Sequence, residues 1–503
     1  MPSKPNFVYI FCDDLGWGDV SCLNPESKIQ TPNIDRLAAT GMNFTDAHAG
    51  SAVCTPSRYT LLTGRYCWRT ALKHGVGGGY SPPLIKPDRL TVAKMLQQAG
   101  YRTACIGKWH VGFNWQLKDE FKGEKMPRLL ARDESRFDTM VDFSKPIKNG
   151  PVDVGFDYYF GISASLDMSP YVFIENDRAT EIPTETVPKG TTPEARAREG
   201  IGAKGWKHEN VLPTLRDKSI DFIRREAAAG NPFFLYLPVN GPHTPVVPNA
   251  EFIGKSGAGI YGDFVLEIDD VVGRIVAALE DAGVRENTVV IFSSDNGPET
   301  LTAAYREAYG HYSAWKFRGM KRDNWEGGHR VPFLVSWPAA VPAGSTCECF
   351  VELVDFMATA ADIVGATLPG NAAEDSRSIL RWLKGDYTAK CRRFAIHHSC
   401  DGKWAIRRGK YKLLLHGGSG GNAYDCPENN DPVQLYDLEA DPFETTNIYT
   451  SHPEIVAQLH SLCLDSIQQG RSTAGPPQQN DCRGEWTQLV ELVNLAAGGK
   501  PKA

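Results

Sequence analysis

No stretch of this chain offers the roughly 20 consecutive apolar residues that a membrane helix needs, so no membrane partner is expected. Met1-Pro2-Ser3-Lys4 also runs straight into a strand-like segment without the pattern of an export signal. The expectation is a cytoplasmic protein as the sequence stands, or a periplasmic or secreted one if a signal is removed. Runs of Lys or Arg are missing too, and with a net charge of −6 there is no basic stripe for nucleic acid. Solenoid-type repeats are absent. The twelve cysteines are too dispersed for a disulfide scaffold, and Cys347-Glu-Cys349 lacks the spacing of a zinc site, so most are expected to be reduced core residues. Nothing in the sequence fixes an oligomeric state.

What the chain does have is bulk: 503 residues, 42% of them hydrophobic, enough for a large core and two domains. Four short apolar runs read as buried strands, and each is followed at once by polar residues. Phe7–Phe11 leads to Asp13-Asp14, Thr103–Ile106 to Lys108 and His110, Phe233–Leu237 to His243, and Val289–Phe292 to Asp295-Asn296. Helical patterns at Leu90 to Gly100 and Phe264 to Gly283 lie between them. Strands alternating with helices imply an α/β fold whose mainly parallel sheet is sandwiched by helices, with ligands bound beyond the carboxyl ends of the strands. From about residue 370 the pattern changes to short strand-like pieces at 404–407, 411–415 and 433–436, expected as a smaller C-terminal α+β subdomain with an antiparallel sheet. The domains are therefore drawn at 1–370 and 371–503. Gly417 to Asn430 reads as a surface loop, Thr180 to Gly205 as a long excursion near a substrate pocket, and Leu489 to Leu495 as an apolar patch in a loosely held tail.

Cys54-Thr55-Pro56-Ser57-Arg58, continued by Leu61-Leu62-Thr63-Gly64-Arg65, is the most informative stretch. Pro56 suits the start of a helix, Gly64 its end, and Arg58 sets a fixed cation one turn from the sulfur. A cysteine at a helix N-terminus sits where an anion is favoured. Elsewhere, Asp13, Asp14, Asp295 and the amide oxygen of Asn296 form an oxygen-rich set suited to a hard dication, calcium or magnesium. Read singly, each pair is an ordinary cap or turn. Together they suggest a metal site.

The run C-T-P-S-R-Y-T-L-L-T-G-R resembles the signature of the sulfatase family, of alkaline phosphatase-like fold, in which that cysteine is oxidised to formylglycine. The resemblance implies a calcium ion, rather than magnesium, held by Asp13, Asp14, Asp295, Asn296 and the oxidised Cys54. It also implies a formylglycine-generating or other sulfatase-maturing enzyme as a partner. Gly107-Lys108-Trp109-His110 matches the family's G-K-W-H, which implies that Lys108 contacts the sulfate and His110 acts on the formylglycine hydroxyl. Pro242-His243-Thr244-Pro245 matches P-H-x-P, implying that His243 protonates the leaving alcohol. The spacing of Lys321 to Glu326-Gly327-Gly328-His329-Arg330 assigns the leaving-group lysine, in preference to Lys316; Glu326 and Arg330 are expected to hold the loop. Leu435-Tyr436-Asp437-Leu438 with Asp441-Pro442-Phe443-Glu444 resembles the family's structural C-terminal hallmark.

The implied activity is hydrolysis of a sulfuric ester, with Arg58 stabilising charge throughout. Trp115, Asp167, Tyr171, Trp206, His208 and His311 lie near the expected rim and suit a sulfated carbohydrate, small or oligomeric, or else pack the fold. Two alternatives stay open: a phosphoester or phosphonate hydrolase of the same superfamily, and a catalytically silent carbohydrate-binding homologue.

Overall fold

The computed structural model describes residues 4–421 and 431–482. A ten-stranded sheet is built from β1 (Asn6–Asp13), β2 (Met42–Phe44), β3 (Arg102–Lys108), β4 (Tyr158–Ile162), β5 (Ile174–Glu175), β6 (Arg178–Ala179), β7 (Phe233–Pro242), β8 (Thr288–Ser294), β9 (Phe333–Ser336) and β10 (Ser345–Cys347). Its order is β10-β2-β9-β8-β1-β7-β3-β4-β5-β6. The five central strands, β8 to β4, are parallel, while β9, β5 and β6 add antiparallel edges. Strand β1 is buried along its whole length and alternates strictly. Phe7, Tyr9 and Phe11 enter one core; Val8, Ile10 and Cys12 enter the other. Period-two burial of both faces is what two covering helical layers demand.

On the Phe7 face lie helices α2 (Cys54–Thr63), α3 (Val92–Gln98) and α6 (Phe356–Val364); on the Val8 face lie α1 (Pro32–Ala39), α4 (Val211–Ala228) and α5 (Gly259–Asp281). Helix α3 starts where Thr91 accepts a hydrogen bond from the Lys94 N–H, a side-chain cap on an otherwise unpaired donor. All ten residues of α2 are buried, and the helix ends at Gly64, whose φ of 63° is readily adopted by glycine. This is a helix inside the protein, with no solvent face.

The C-terminal part is a four-stranded antiparallel sheet, β11 (Ala395–His398), β12 (Trp404–Arg408), β13 (Tyr411–Leu414) and β14 (Gln434–Asp437), covered by α7 (Pro453–Gln469). The sequence reading placed three of these strands and missed β11. Most of the 417–430 loop and the 489–495 patch lie outside the described residues. Cys349 is disulfide-bonded to Cys391, a pairing that the two-residue spacing to Cys347 did not suggest.

A buried polar seam joins the two sheets. Lys412 on β13 ion-pairs Glu326 at 3.0 Å and Glu444 at 2.9 Å, and Glu444 accepts the Glu326 N–H at 2.6 Å. Arg330 holds Glu326 at 3.1 Å, so the expected loop-holding role stands, and Arg407 reaches Asp46 at 2.7 Å. His48, His329 and His397 crowd the same seam. The His329 and His397 rings stack face to face, 3.9 Å apart and 11° from parallel, so their in-plane lone pairs do not converge on one ion. Lys412 and Arg407 supply the positive charge there instead.

Candidate active site

The register of the parallel strands decides where chemistry collects. Cys12 pairs with Ser294, Asp13 with Pro242, and the Asp295 N–H continues the ladder to the Cys12 carbonyl at 3.1 Å. Asp13-Asp14, Asp295-Asn296 and His243 therefore leave the sheet at one rim, where the chain departs from β1 in both directions. Neighbouring side chains on a strand point to opposite faces. Asp14 escapes that alternation because its φ of 67° is left-handed, a conformation that Asp tolerates. Both carboxylates can then serve one site.

Helix α2 supplies the fourth side. Cys54 is its first residue, and its thiol lies 3.5 Å from Asp13 Oδ1. One turn on, Arg58 donates to Asp295 Oδ2 from Nε at 3.0 Å and Nη2 at 2.6 Å, and Nη2 stands 3.4 Å from Asp13. Lys108, at the end of β3, donates to Asp13 Oδ2 at 2.6 Å. Lys321 bridges Asp14 at 2.6 Å and Glu299 at 3.0 Å. His243 donates from Nδ1 to the Thr244 carbonyl at 2.6 Å, which leaves Nε2 facing Asp14 Oδ2 at 3.6 Å. The structure thus gathers the residues expected at the site at one rim, with His110 beside Lys108 and Arg58.

His110 lies just beyond the end of β3, with φ 56°. Its Nε2 donates to the Gly77 carbonyl at 2.8 Å, and Nδ1 is buried without a partner. Gly77 in turn donates its N–H to Thr55 on α2. Burial, with Lys108 and Arg58 nearby, holds the His110 pKa well below the usual histidine value, so it is a neutral base with one bare lone pair.

Asp13, Asp14, Asp295 and Glu299 face Arg58, Lys108, Lys321 and Arg322, so the formal charges of the site balance, and an added dication would leave it positive, as an anionic ester requires. Burial raises the Asp13 carboxyl, but Lys108, His243 and Arg58 outweigh it and hold its pKa well below the usual range. Asp295 is pushed up to about 6 by burial, partly offset by Arg58 and reinforced by Asp13. The Cys54 thiol is raised by burial, with Lys108 and Lys321 opposing. Asn296 donates from Nδ2 to Asp14 Oδ1 at 2.7 Å, which fixes its amide so that Oδ1 is buried and accepts nothing. A fixed, unused oxygen among three carboxylates suits a hard cation.

Sequence reasoning missed two residues here. Glu299 was legible only as the acid three residues beyond Asn296, and Arg322 only as the neighbour of Lys321. Of the proposed rim residues, His311 donates to Asp19 at 2.8 Å and Trp115 packs in the core with its indole N–H on the Gly79 carbonyl, so both are structural. Lys316 is exposed and remote from the site, near Glu26. Asp167 pairs with Arg198 beside Tyr171 and His208. Buried polar atoms without partners cluster in this region: Asp167 Oδ1, Ser163 Oγ, Ser165 Oγ, His208 Nε2 and Trp206 Nε1.

A parallel sheet whose switch point presents acidic oxygens, cations and a helix-borne cysteine defines a hydrolase of anionic esters. The chain belongs to the sulfatase family. The sulfatase profile matches residues 5–366, and that of the N-sulphoglucosamine sulphohydrolase C-terminal region matches residues 317–469. The chain is 35% identical to an N-acetylgalactosamine-6-O-sulfatase of Bacteroides thetaiotaomicron, over 92% of this chain and 93% of that one. It is 30% identical to arylsulfatase G of Canis lupus familiaris, over 88% and 80%. A solved structure described for the metabolism of multiple glycosaminoglycans by Bacteroides thetaiotaomicron superposes with a TM-score of 0.79 at 33% identity, covering 92% and 99%. The sulfatase PsFucS1 of Pseudoalteromonas sp. gives a TM-score of 0.69 at 25% identity, covering 92% and 90%. The protein is accordingly a sulfatase, an enzyme that hydrolyses sulfate esters.

Proposed function

We propose that this sulfatase uses formylglycine at position 54 and one calcium ion to release sulfate from a sulfated hexosamine unit. The observation carrying the reading is Cys54 at the first position of a buried helix, 3.5 Å from Asp13 and ringed by the unused Asn296 oxygen, Arg58, Lys108 and Lys321. Asp13, Asp14, Asp295, Asn296 and oxidised residue 54 would hold the cation, which polarises the sulfur–oxygen bonds when bound. Oxidation of residue 54 supplies an aldehyde whose hydrate carries two hydroxyls on one carbon. Lys108 and Arg58 bind and neutralise the anionic oxygens of the ester. His243 and Lys321 stand where the alcohol departs, His243 returning the proton that oxygen needs. His110, with its bare Nδ1, receives a proton from the residue 54 hydroxyl as sulfate leaves. The sum is one ester and one water converted to alcohol and sulfate.

The unpaired polar atoms around Asp167 and His208 support a sugar ring at the rim, since hydroxyls and an amide are what such atoms lack. The names of two relatives favour N-acetylgalactosamine 6-sulfate among candidate units. The Cys349–Cys391 bond supports a periplasmic or secreted protein over a cytoplasmic one, which cell fractionation checks.

Two measurements test the reading. The mass of the peptide spanning Cys54 should be lower than the thiol form after expression with a maturing enzyme. Sulfate release from N-acetylgalactosamine 6-sulfate should exceed phosphate release from the matching 6-phosphate, and Cys54→Ala should abolish it. Substantial sulfate release by that variant sinks the assignment.

A further inference from the structure

We propose that Glu299 and Arg322 form a positioning pair that aims Lys321 at the departing oxygen, an inference resting on the leaving-group role given to Lys321 above. Glu299 is 4% exposed, and both its oxygens are engaged. Arg322 grips them in a fork, Nη1 to Oε1 at 2.5 Å and Nη2 to Oε2 at 3.0 Å, and Oε2 also takes the Lys321 ammonium at 3.0 Å. A bidentate guanidinium fixes a carboxylate in direction as well as place, which a lysine in that position could not do.

The backbone is committed to the same end. Arg322 has φ 87°, a left-handed conformation that a non-glycine residue keeps only when its surroundings impose it. Here the Arg322 N–H donates to the Ala52 carbonyl at 2.8 Å, two residues before Cys54, and the Arg322 carbonyl accepts the Cys400 N–H at 3.1 Å. The loop carrying Lys321 is thereby tied to the segment that leads into helix α2. Without Glu299, the ammonium would have only Asp14 to bind and would collapse onto that carboxylate. With carboxylates on two sides, two of its three N–H groups are used and the third is held for the substrate.

Such aim matters in proportion to how badly the leaving oxygen needs help. A sugar alcohol is a poor leaving group, whereas 4-nitrophenolate departs without a proton. Glu299→Gln keeps the size of the side chain and removes the charge. On N-acetylgalactosamine 6-sulfate its kcat is expected to fall by about 10- to 100-fold, part of what general-acid assistance supplies, with KM within about threefold of wild type. On 4-nitrophenyl sulfate kcat should fall by less than about threefold. Arg322→Lys should show the same split more weakly. An equal fall on both esters, or none on the sugar ester, overturns the proposal. If the wild type releases sulfate from neither ester, the proposed function fails, and the pair is judged by acetic anhydride labelling: Lys321 should acetylate faster in Glu299→Gln than in wild type, and equal rates refute it.

Discussion

Replacing Arg58 by methionine keeps an unbranched apolar stem and removes the charge at a fully enclosed point of the site. Arg58 is fully buried, with two bonds to Asp295 at 3.0 and 2.6 Å and a third contact to Asp13 at 3.4 Å. At about 3 Å and an effective dielectric near 20, each such attraction is worth roughly 5–6 kcal/mol before desolvation. Most of that is cancelled by the cost of burying the charges, but removing one partner strands the other, and breaking a buried pair costs about 3–5 kcal/mol. The expected loss for Arg58→Met is in that range, measured by urea unfolding in EDTA with tryptophan fluorescence. Calcium should then stabilise the variant more than the wild type, because a dication takes over the neutralisation that the guanidinium had supplied. Sulfate release should be lost even where calcium restores the fold. A variant within about 1 kcal/mol of wild type in EDTA would show that water already screens these carboxylates and that the charge balance drawn for the site is wrong.

Three further outcomes are expected. Exhaustive chelation should abolish sulfate release, calcium should restore it and magnesium should restore less; full activity after chelation would remove the metal from the reading. Lys412→Met, which leaves Glu326 and Glu444 buried together, should cost at least about 3 kcal/mol in unfolding without moving KM, and a loss below about 1 kcal/mol would show the seam to be dispensable. The pH dependence of stability should carry a signature of Glu352, which burial pushes up to about 8 from 4.5, with Arg392 opposing and Asp355 adding. Folding then takes up a proton between those values, so this group makes stability fall as pH rises from about 4.5 to 8, by up to about 1.4 kcal/mol per pH unit. Glu352→Gln should flatten that slope, and an unchanged slope would mean the carboxyl is ionised in the fold.

Much of the site was legible because strand ends are legible. An apolar run of five residues followed by Asp13-Asp14 states both the strand and the rim, and three further runs state the same rim, since parallel strands in one sheet must end together. Helix α2 was legible from Pro56 and Gly64, but its complete burial was not: Arg58 is spent on Asp295 and Thr55 on Gly77, both remote in sequence, while Ser57, Thr60 and Thr63 turn back onto carbonyls four to six residues away. The bare Nδ1 of His110 was not legible, because the chain leaves the extended conformation at residue 110, where φ is 56°, and the other ring nitrogen is spent on the Gly77 carbonyl.

What stayed hidden was the support around the site. Lys321 could be named by its spacing, but Glu299 and Arg322 act through contacts 22 and 23 residues apart that no periodicity encodes. The seam is the same case at larger scale: Glu326 was legible as a partner of Arg330 and Glu444 as part of a structural motif, but not their joint pairing with Lys412 across the two sheets. Buried ion pairs gain little over apolar packing, so stability does not explain why charges were kept there. Direction does. The loop between Asn296 and Arg330 carries Glu299, Lys321, Arg322 and Glu326, and it is tied at one end to the rim beside Asn296 and at the other to the small sheet through Lys412. An apolar seam would hold the two sheets together while leaving that loop free to slide. Charges with fixed partners set its register, and through it the position of the Lys321 ammonium relative to residue 54.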